Sequence, residues 1–550
     1  MVGSPNWNGS IGAVTFVNGN TGLTGPVSAS NSLVGTSPND QVGKNITALT
    51  NSNYVVTSTE WNGSRGAATF GSGTSGITGP VSAANSLIGS VANDAVGRYV
   101  TPLTGGNYVV GSYSWSSGKG AVTFGSGTTG VAGVVSATNS FVGANNGELA
   151  GISVVGLTNG NYVFMSYWNG NRGALTFVNT SSVPTGTFGT VSSSNSLVGT
   201  DPGDFSSIAI RALSNGNYVF AASGWNNASG SVTLGDGTTG TFGSIGGANS
   251  LIGAPGDSVG TSLLGLTNGN YVVGSRLWHN QTGAVTFCNG TTGLTGAVSS
   301  LNSLVGDSTF DRVGTYLTAL PNGNYVVGSP FWNGARGAVT FGNGGTGVKG
   351  SITSTNSLVG SHFDELGLAV DGGGSATSGL VPFADGSYVA RNVYWDNGTT
   401  ADTGAITFGR ADGSTLGQVN SGNSVLGQLA NRGRTLSYDY DQAVNHQLVV
   451  GRPFENKVTL FKFNSASPVT VSGRVTTPDG RGLRNATVSI TDSLGVRRTA
   501  TTSSFGFFSF DNVSTGQTYV IRVSSRLYRF SPVTVMVTGN VTLPDLVGLE

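Results

Sequence analysis

Eight tryptophans, Trp7, Trp61, Trp115, Trp168, Trp225, Trp278, Trp332 and Trp395, are the residues of this chain best suited to ligand chemistry. An indole face can stack on a sugar ring or on a protein partner, and it can equally pack one repeat against the next. The packing reading comes first, because Trp buries more surface than other residues and a glycine-rich chain needs bulk. Around the tryptophans stand loops with recurring charges: Trp61-Asn-Gly-Ser-Arg65 and Trp332-Asn-Gly-Ala-Arg336 end in arginine. An acid recurs ahead of each later tryptophan, as Asp40, Asp94, Asp204, Asp257, Asp311 and Asp364, with Glu148 standing in once. The candidate ligand-binding set is therefore the eight tryptophans with Arg65, Arg336, Asp257 and Asp311, although Asp side chains at such positions first of all cap their own turns.

Other groupings resemble catalytic sites and fail on inspection. G-x-G-x-x-G occurs at Gly71 to Gly76, Gly125 to Gly130, Gly235 to Gly240 and Gly342 to Gly347. A dinucleotide fingerprint needs a helix N-terminus to receive the pyrophosphate, and here a strand follows. His362-Phe-Asp-Glu365 suggests a zinc pair, yet Asp364 is the repeat's usual acid, and the only later histidine, His446, lies in another repeat. Cys288 occupies a slot held elsewhere by Gly125 or Gly342, and reads as an incidental small residue rather than a nucleophile. Paired carboxylates for glycoside hydrolysis would have to break the repeat symmetry; the insertion around Asp371 to Gly379 is the one irregular place for them. No catalytic residue, metal or cofactor is expected. Asn-x-Ser/Thr sequons such as Asn8, Asn62, Asn280 and Asn512 follow from composition.

The tryptophans are spaced 54, 54, 53, 57, 53, 54 and 63 residues apart, so the elements that position them form a repeating unit. The stretch Asp311 to Gly360 shows four short segments rich in Val, Thr, Tyr and Phe: Tyr316 to Leu320, Tyr325 to Gly328, Gly337 to Phe341, and a last one leading into Asn356-Ser-Leu-Val-Gly360. Asn-Gly between the first two suits a type I′ hairpin turn. Helical periodicity is absent, and the 90 glycines with only 9% charged residues describe turns and thin strands. The chain reads as all-β, a β-propeller of four-stranded blades about 54 residues long, eight in number by preference and seven or nine as alternatives. Strand order would put the Trp-Asn-Gly and Asp-x-Val-Gly loops on one face, where binding usually sits, and the tight Gly/Asn turns on the other.

The repeat domain spans residues 1–463, a polar linker 464–468, and a β-sandwich of about seven strands residues 469–550. The last repeat stops after its third strand, Val458 to Phe463, and a strand near Val27 is expected to close the ring. Met1 stands where other repeats have the first Val of Tyr-Val-Val (Val55, Val109, Val272, Val326), so the chain opens in the middle of a blade's second strand, and a truncated or miscalled start is expected, with further repeat or an export signal upstream of Met1. A formal net charge of 0 without a basic run excludes phosphate-backbone recognition, hence nucleic acid. No run is long and apolar enough to span a bilayer.

Asp257-Ser-Val-Gly260, Asp311-Arg-Val-Gly314, Val327-Gly-Ser-Pro330 and Gly337-Ala-Val-Thr-Phe341 resemble FG-GAP blades of the integrin α-chain type. That resemblance implies an Asp-rich calcium loop between the first two strands, but here the loop is shortened to Thr267-Asn-Gly-Asn270 or Pro321-Asn-Gly-Asn324, without a carboxylate, and no calcium is expected. The tail, through Gly473, Pro478-Asp-Gly480, Asn485-Ala-Thr-Val488, Gly506-Phe-Phe and Gly516 to Tyr519, resembles the carboxypeptidase regulatory-like, or transthyretin-like, module, which implies a non-catalytic β-sandwich. Its eight arginines against five acids read as solvation. The expectation is a monomeric, bacterial, extracellular or cell-surface adhesion or binding scaffold, taking a protein or glycan ligand at the Trp/Asp face. A multivalent lectin is the alternative, and a propeller glycosidase or lyase ranks behind it.

Overall fold

The computed structural model describes residues 1–182, 188–370, 375–441, 447–462, 469–492, 497–513, 517–537 and 540–549. His446, Phe463 and the linker 464–468 lie outside the described residues, as does the first part of the Asp371 to Gly379 insertion. Two compact units emerge, residues 1–436 with 452–457, and residues 437–451 with 458–550.

The first unit is a row of small sheets, one for each tryptophan, numbered here as repeats 1 to 8 from Trp7 to Trp395. Repeat 7 is representative: Tyr316–Ala319, Tyr325–Ser329, Ala338–Gly342 and Ser357–Val359 pair antiparallel in that order. The second strand reads Tyr-Val-Val rather than alternating polar and apolar, because both its faces are covered. In repeat 2, Tyr54 and Val56 pack on Val14 and Leu33 of repeat 1, whereas Val55 packs with Tyr108 and Val110 of repeat 3. Side chains alternate across a strand, so one apolar run supplies two inter-repeat cores.

A fifth, two-residue strand escapes the sequence pattern. Gly79–Pro80 of repeat 2 runs parallel to Leu33 and Val34 in the fourth strand of repeat 1. The same strap recurs six more times, ending with Gly417–Gln418 of repeat 8 on Leu358 and Val359 of repeat 7. Its glycine is left-handed in every copy, from φ 87° at Gly350 to 154° at Gly189, which an L side chain resists.

The Asn-Ser of the Asn-Ser-Leu-Val-Gly motif also finds its reason. Threonine on the third strand and serine on the fourth share a buried hydrogen bond of 2.7 Å, as in Thr69 and Ser86 or Thr340 and Ser357. The serine then donates to the preceding asparagine, Ser86 Oγ to Asn85 Oδ1 at 2.8 Å, so no hydroxyl in the relay is left unpaired.

Two expectations need correction. The hairpin between the first two strands is not a type I′ turn: of the pair Asn322-Gly323 only the glycine is left-handed (φ 86°), and Gly323 N–H donates back to Leu320 O. This is a one-residue-longer loop with a left-handed glycine at its end. Nor does a strand near Val27 complete the last repeat. Val27 lies outside any described strand, and Lys457–Lys462 closes a three-stranded sheet with Ser437–Asp441 and Gln447–Arg452. No described sheet joins the first repeat to the last. Part of the insertion in repeat 8 forms a strand pair of its own, Leu368–Val370 with Ala376–Ser378.

In the second unit, Val469–Thr476 lies between Phe507–Val513 and the short strands Val541–Thr542 and Leu546–Val547. A second sheet runs Arg497–Thr501, Thr487–Thr491, Gln517–Ser524, Val533–Val537. Val471, Phe508 and Phe510 of the first meet Val488, Ile490 and Ile521 of the second in one core.

Candidate functional site

The Trp and Asp loops do lie together, along one edge of the row of sheets. Each tryptophan from Trp7 to Trp332 opens a tight turn whose next three residues are left-handed: Asn62, Gly63 and Ser64 have φ of 49°, 68° and 60°. Left-handed runs of this length are costly for non-glycine residues, and Asn at the first position lowers the cost. The turn is held by the acid of its own repeat. In repeat 5, Asp204 Oδ1 accepts from Asn226 N–H at 2.9 Å, while Oδ2 accepts from Thr200 N–H and Asp201 N–H at 2.7 and 2.9 Å. Asp257 bonds His279 N–H at 2.8 Å, and Asp311 bonds Asn333 N–H at 2.9 Å. The staple recurs from repeat 2 to repeat 8.

The residues after the acid then reach back to the preceding repeat. Ala95 N–H and Val96 N–H donate to Ser64 O and Arg65 O. Approach is so close that a Cβ on Gly66 would lie 2.2 Å from Val96 N, which explains the invariant glycine after the turn. The edge is therefore a continuous alternation of Trp turn and Asp loop.

Most of the predicted set is engaged in this framework. Asp257 and Asp311 are buried and their oxygens are taken by backbone N–H groups. Trp61, Trp225 and Trp395 are buried; Trp7, Trp115, Trp168, Trp278 and Trp332 are half-buried. From Trp61 to Trp395 every indole packs into an inter-repeat core, Trp225 for example against Val163, Leu175 and Leu197 of repeat 4. Arg65 and Arg336 are exposed, as are the turn tips Asn62-Gly63, Asn169-Gly170, Asn226-Asn227, His279-Asn280 and Asn333-Gly334. Four of the eight tips are Asn-Gly, and the others read Ser116-Ser117, Asn226-Asn227, His279-Asn280 and Asp396-Asn397, above a staple that changes only at Glu148.

Residues that the sequence reading passed over also gather on this edge. Arg98 lies over Tyr113, Arg434 over Tyr394, and Arg312 over both Phe310 and Phe331. Only comparison of one repeat with another could have exposed them. In repeat 8, burial first and Asp402 second raise the Glu365 carboxyl above its ordinary range, and burial followed by Asp396 does the same for Asp402. Burial pushes the Cys288 thiol up to about 12, which removes the thiolate that a nucleophile requires. Among the described residues no three His, Cys, Asp or Glu side chains converge as metal ligands, and no helix is long and apolar enough to cross a membrane.

The opposite edge carries the Asn turns. Asn268 and Asn270 of repeat 6 donate to Gly344 O of repeat 7 at 2.7 and 2.8 Å, while Asn270 Oδ1 accepts from Gly290 N–H at 2.9 Å. The shortened loop is thus filled by amide clamps between repeats.

Comparison with known families follows the same period. The family model described as a repeat of unknown function (DUF5650) matches residues 1–44, 48–98, 102–152, 156–208, 212–261, 265–315, 319–366 and 382–433. The chain belongs to this repeat family. Its DUF5650 copies each hold one Trp turn, and a carboxypeptidase regulatory-like domain matches residues 470–546 behind them. No curated protein matches the chain. Among solved structures, a eukaryotic initiation factor is similar at 9% identity, covering 78% of this chain and 90% of that one, with a TM-score of 0.34. The Bacillus anthracis TIE protein (10% identity, 33% and 31% coverage, TM-score 0.15) and a C-terminal fragment of pilus adhesin SpaC from Lactobacillus rhamnosus GG (10%, 33% and 86%, 0.16) are similar over shorter stretches. Similarity at this level carries no inference about function.

Proposed function

We propose that this protein is a non-catalytic binding or adhesion scaffold, exported to the cell surface or the medium, whose DUF5650 repeats stack as FG-GAP-like propeller blades and bind a macromolecule along the Trp/Asp edge. The carrying observation is the division of labour there: carboxylates and indoles are spent on holding the loops, and exposed tips, Asn-Gly in four repeats and different in the other four, stand above that frame. A rigid frame with variable tips is what recognition uses. The first strands of successive repeats also touch one another in order, as neighbouring blades would. The carboxypeptidase regulatory-like domain serves as spacer or second contact module.

The test is adhesion of beads coated with the full chain to cell surfaces and to arrayed glycans, beside a variant carrying Asn226→Ala and Asn333→Ala at two tips. Retention that drops for the variant at unchanged melting temperature supports the reading; equal retention, or none for either protein, removes it. The lectin reading stands second, favoured by Trp115, Trp168, Trp278 and Trp332, which are half-buried rather than buried. It predicts saturable binding to the glycan array and competition by free sugar.

A further inference from the structure

The repeats are internal controls for one another, and repeat 7 alone combines Phe310, Arg312 and Phe331 at three positions that meet in space. The residue before the loop acid is left-handed, and is Asn39, Asn93, Gly147, Gly203 and Gly256 in repeats 2 to 6. Those types tolerate positive φ. In repeat 7 the slot holds Phe310 at φ 72°, a bulky side chain in a strained conformation. The strain brings no burial in return, since Phe310 is 57% exposed. After the acid, where other repeats have Gln41, Ala95, Leu149, Phe205, Ser258 or Glu365, repeat 7 has Arg312; before the tryptophan it has Phe331.

The Arg312 guanidinium lies over Phe310 at 6.0 Å and over Phe331 at 5.5 Å, and its Nε donates to Gln281 Oε1 at 3.0 Å. Two sister arrangements show what this is not. Arg98 Nε donates to the Tyr113 hydroxyl at 2.8 Å, and Arg434 Nη2 donates to the Tyr394 hydroxyl at 2.9 Å, so each of those arginines is tied to the aromatic residue it covers. Phenylalanine offers no such acceptor. Among the described residues none takes a hydrogen bond or ion pair from the two terminal nitrogens of Arg312. The exposed acid of this loop, Asp307, accepts from Ser351 Oγ at 2.6 Å. The Asp311 carboxylate is occupied by backbone. A planar fork held by two rings and an amide, with its outer N–H groups free, is pre-organised for bidentate capture of a carboxylate. In repeat 8, Phe363 fills the slot of Phe310 and is 78% exposed.

We propose that Arg312, Phe310 and Phe331 form a docking site for a polypeptide partner, in which an Asp or Glu side chain takes the terminal nitrogens of Arg312 and an adjacent apolar side chain covers Phe310. The proposal deepens the reading of this edge as a binding surface and rests on it. A protein is favoured over an acidic sugar because phenylalanine supplies apolar area without the hydroxyl or amide partners that sugar sites place beside a ring, and exposed Phe with a partly desolvated Arg is the composition of protein hot spots.

The experiment selects a phage-displayed random peptide library on the full chain, then measures the enriched peptides against Arg312→Gln and Phe310→Asn. Both replacements already occupy the same slots in repeat 2, as Gln41 and Asn39, so both variants keep the fold. Enriched peptides should pair an acid with a neighbouring apolar residue, and lose at least about tenfold in affinity to either variant. Changing the peptide's acid to its amide should cost the same against the native chain and nothing further against Arg312→Gln. Phe310→Asn should also melt no lower than the native chain, since it relieves the strained residue. Peptides that bind with no sensitivity to either variant overturn this site while leaving the edge as a binding surface. Failure to enrich any peptide overturns it too, and the bead adhesion test then decides the wider reading independently. Binding of arrayed uronate or sialate glycans that is lost in Arg312→Gln would reassign the fork to acidic sugar and overturn the polypeptide partner.

Discussion

The two edges of the repeats solve one problem with opposite chemistry. On the Trp/Asp edge a buried carboxylate collects backbone N–H groups, three in the case of Asp204, and so stabilises a left-handed turn that would otherwise strand its donors. On the Asn edge a neutral amide does both jobs, donating to a carbonyl of the next repeat and accepting from an N–H of its own repeat, as Asn270 does with Gly344 O and Gly290 N–H. A carboxylate only accepts, so it suits a place where donors converge; an amide suits a place where a donor and an acceptor must be joined. The tips above the carboxylate staple are Asn-Gly in four repeats and differ in the other four; the Asn edge reads Asn-Gly-Asn in four repeats and departs from it at Asn51-Ser-Asn53, Gly105-Gly-Asn107 and Asp385-Gly-Ser387. The edge proposed for recognition is the one whose fastening is hidden beneath exposed tips.

This contrast can be broken in order of effect. Trp225→Ala should be the most damaging change, about 3–5 kcal/mol, because the indole is 7% exposed and bridges repeats 4 and 5. Hydrogen exchange should then show both repeats losing protection together while distant ones keep theirs. Next comes Asp204→Ala, at about 3 kcal/mol, since it removes a buried carboxylate and leaves three N–H groups, of Thr200, Asp201 and Asn226, without their acceptor; urea denaturation measures it. Asn270→Ala on the other edge should cost less, about 1–2 kcal/mol, because it leaves one N–H, that of Gly290, without its acceptor while Gly344 O keeps the Asn268 amide. Equal losses for Asp204→Ala and Asn270→Ala would erase the distinction between the edges. Smallest is Glu365→Gln. The Glu365 carboxyl is raised in the folded chain, so the fold favours its protonated form, and stability falls as pH rises from the unfolded value through the folded one. The glutamine variant should melt slightly higher than the native chain at about pH 7 and no differently at about pH 4.

Much of this could be read from the residues. The period, the four strands and the pairing of Trp with Asp loops follow from spacing and from Val/Tyr runs bounded by glycine, and Asp40 or Asp311 as a turn acid follows from Asx chemistry. Gly79–Pro80 and its sister straps could not be read, because two residues paired only through backbone leave no side-chain signature. The left-handed conformation of Ser64 and Gln281 was hidden for a similar reason: it is imposed by the acid beneath the turn, not by their own types. Ring closure through Val27 was inferred from a missing strand, and strand counting is silent about which backbone groups actually pair. Phe310 and Arg312 looked like ordinary loop residues until set against Asn39, Asn93 and Gln41.

The strap also has a consequence in time. Because the fourth strand of each repeat is flanked by two residues that belong to its successor, a repeat leaving the ribosome is not finished until much of the next has been synthesised. Assembly along this chain runs one module behind translation, and a truncation inside any repeat leaves two modules incomplete, the one cut and the one before it.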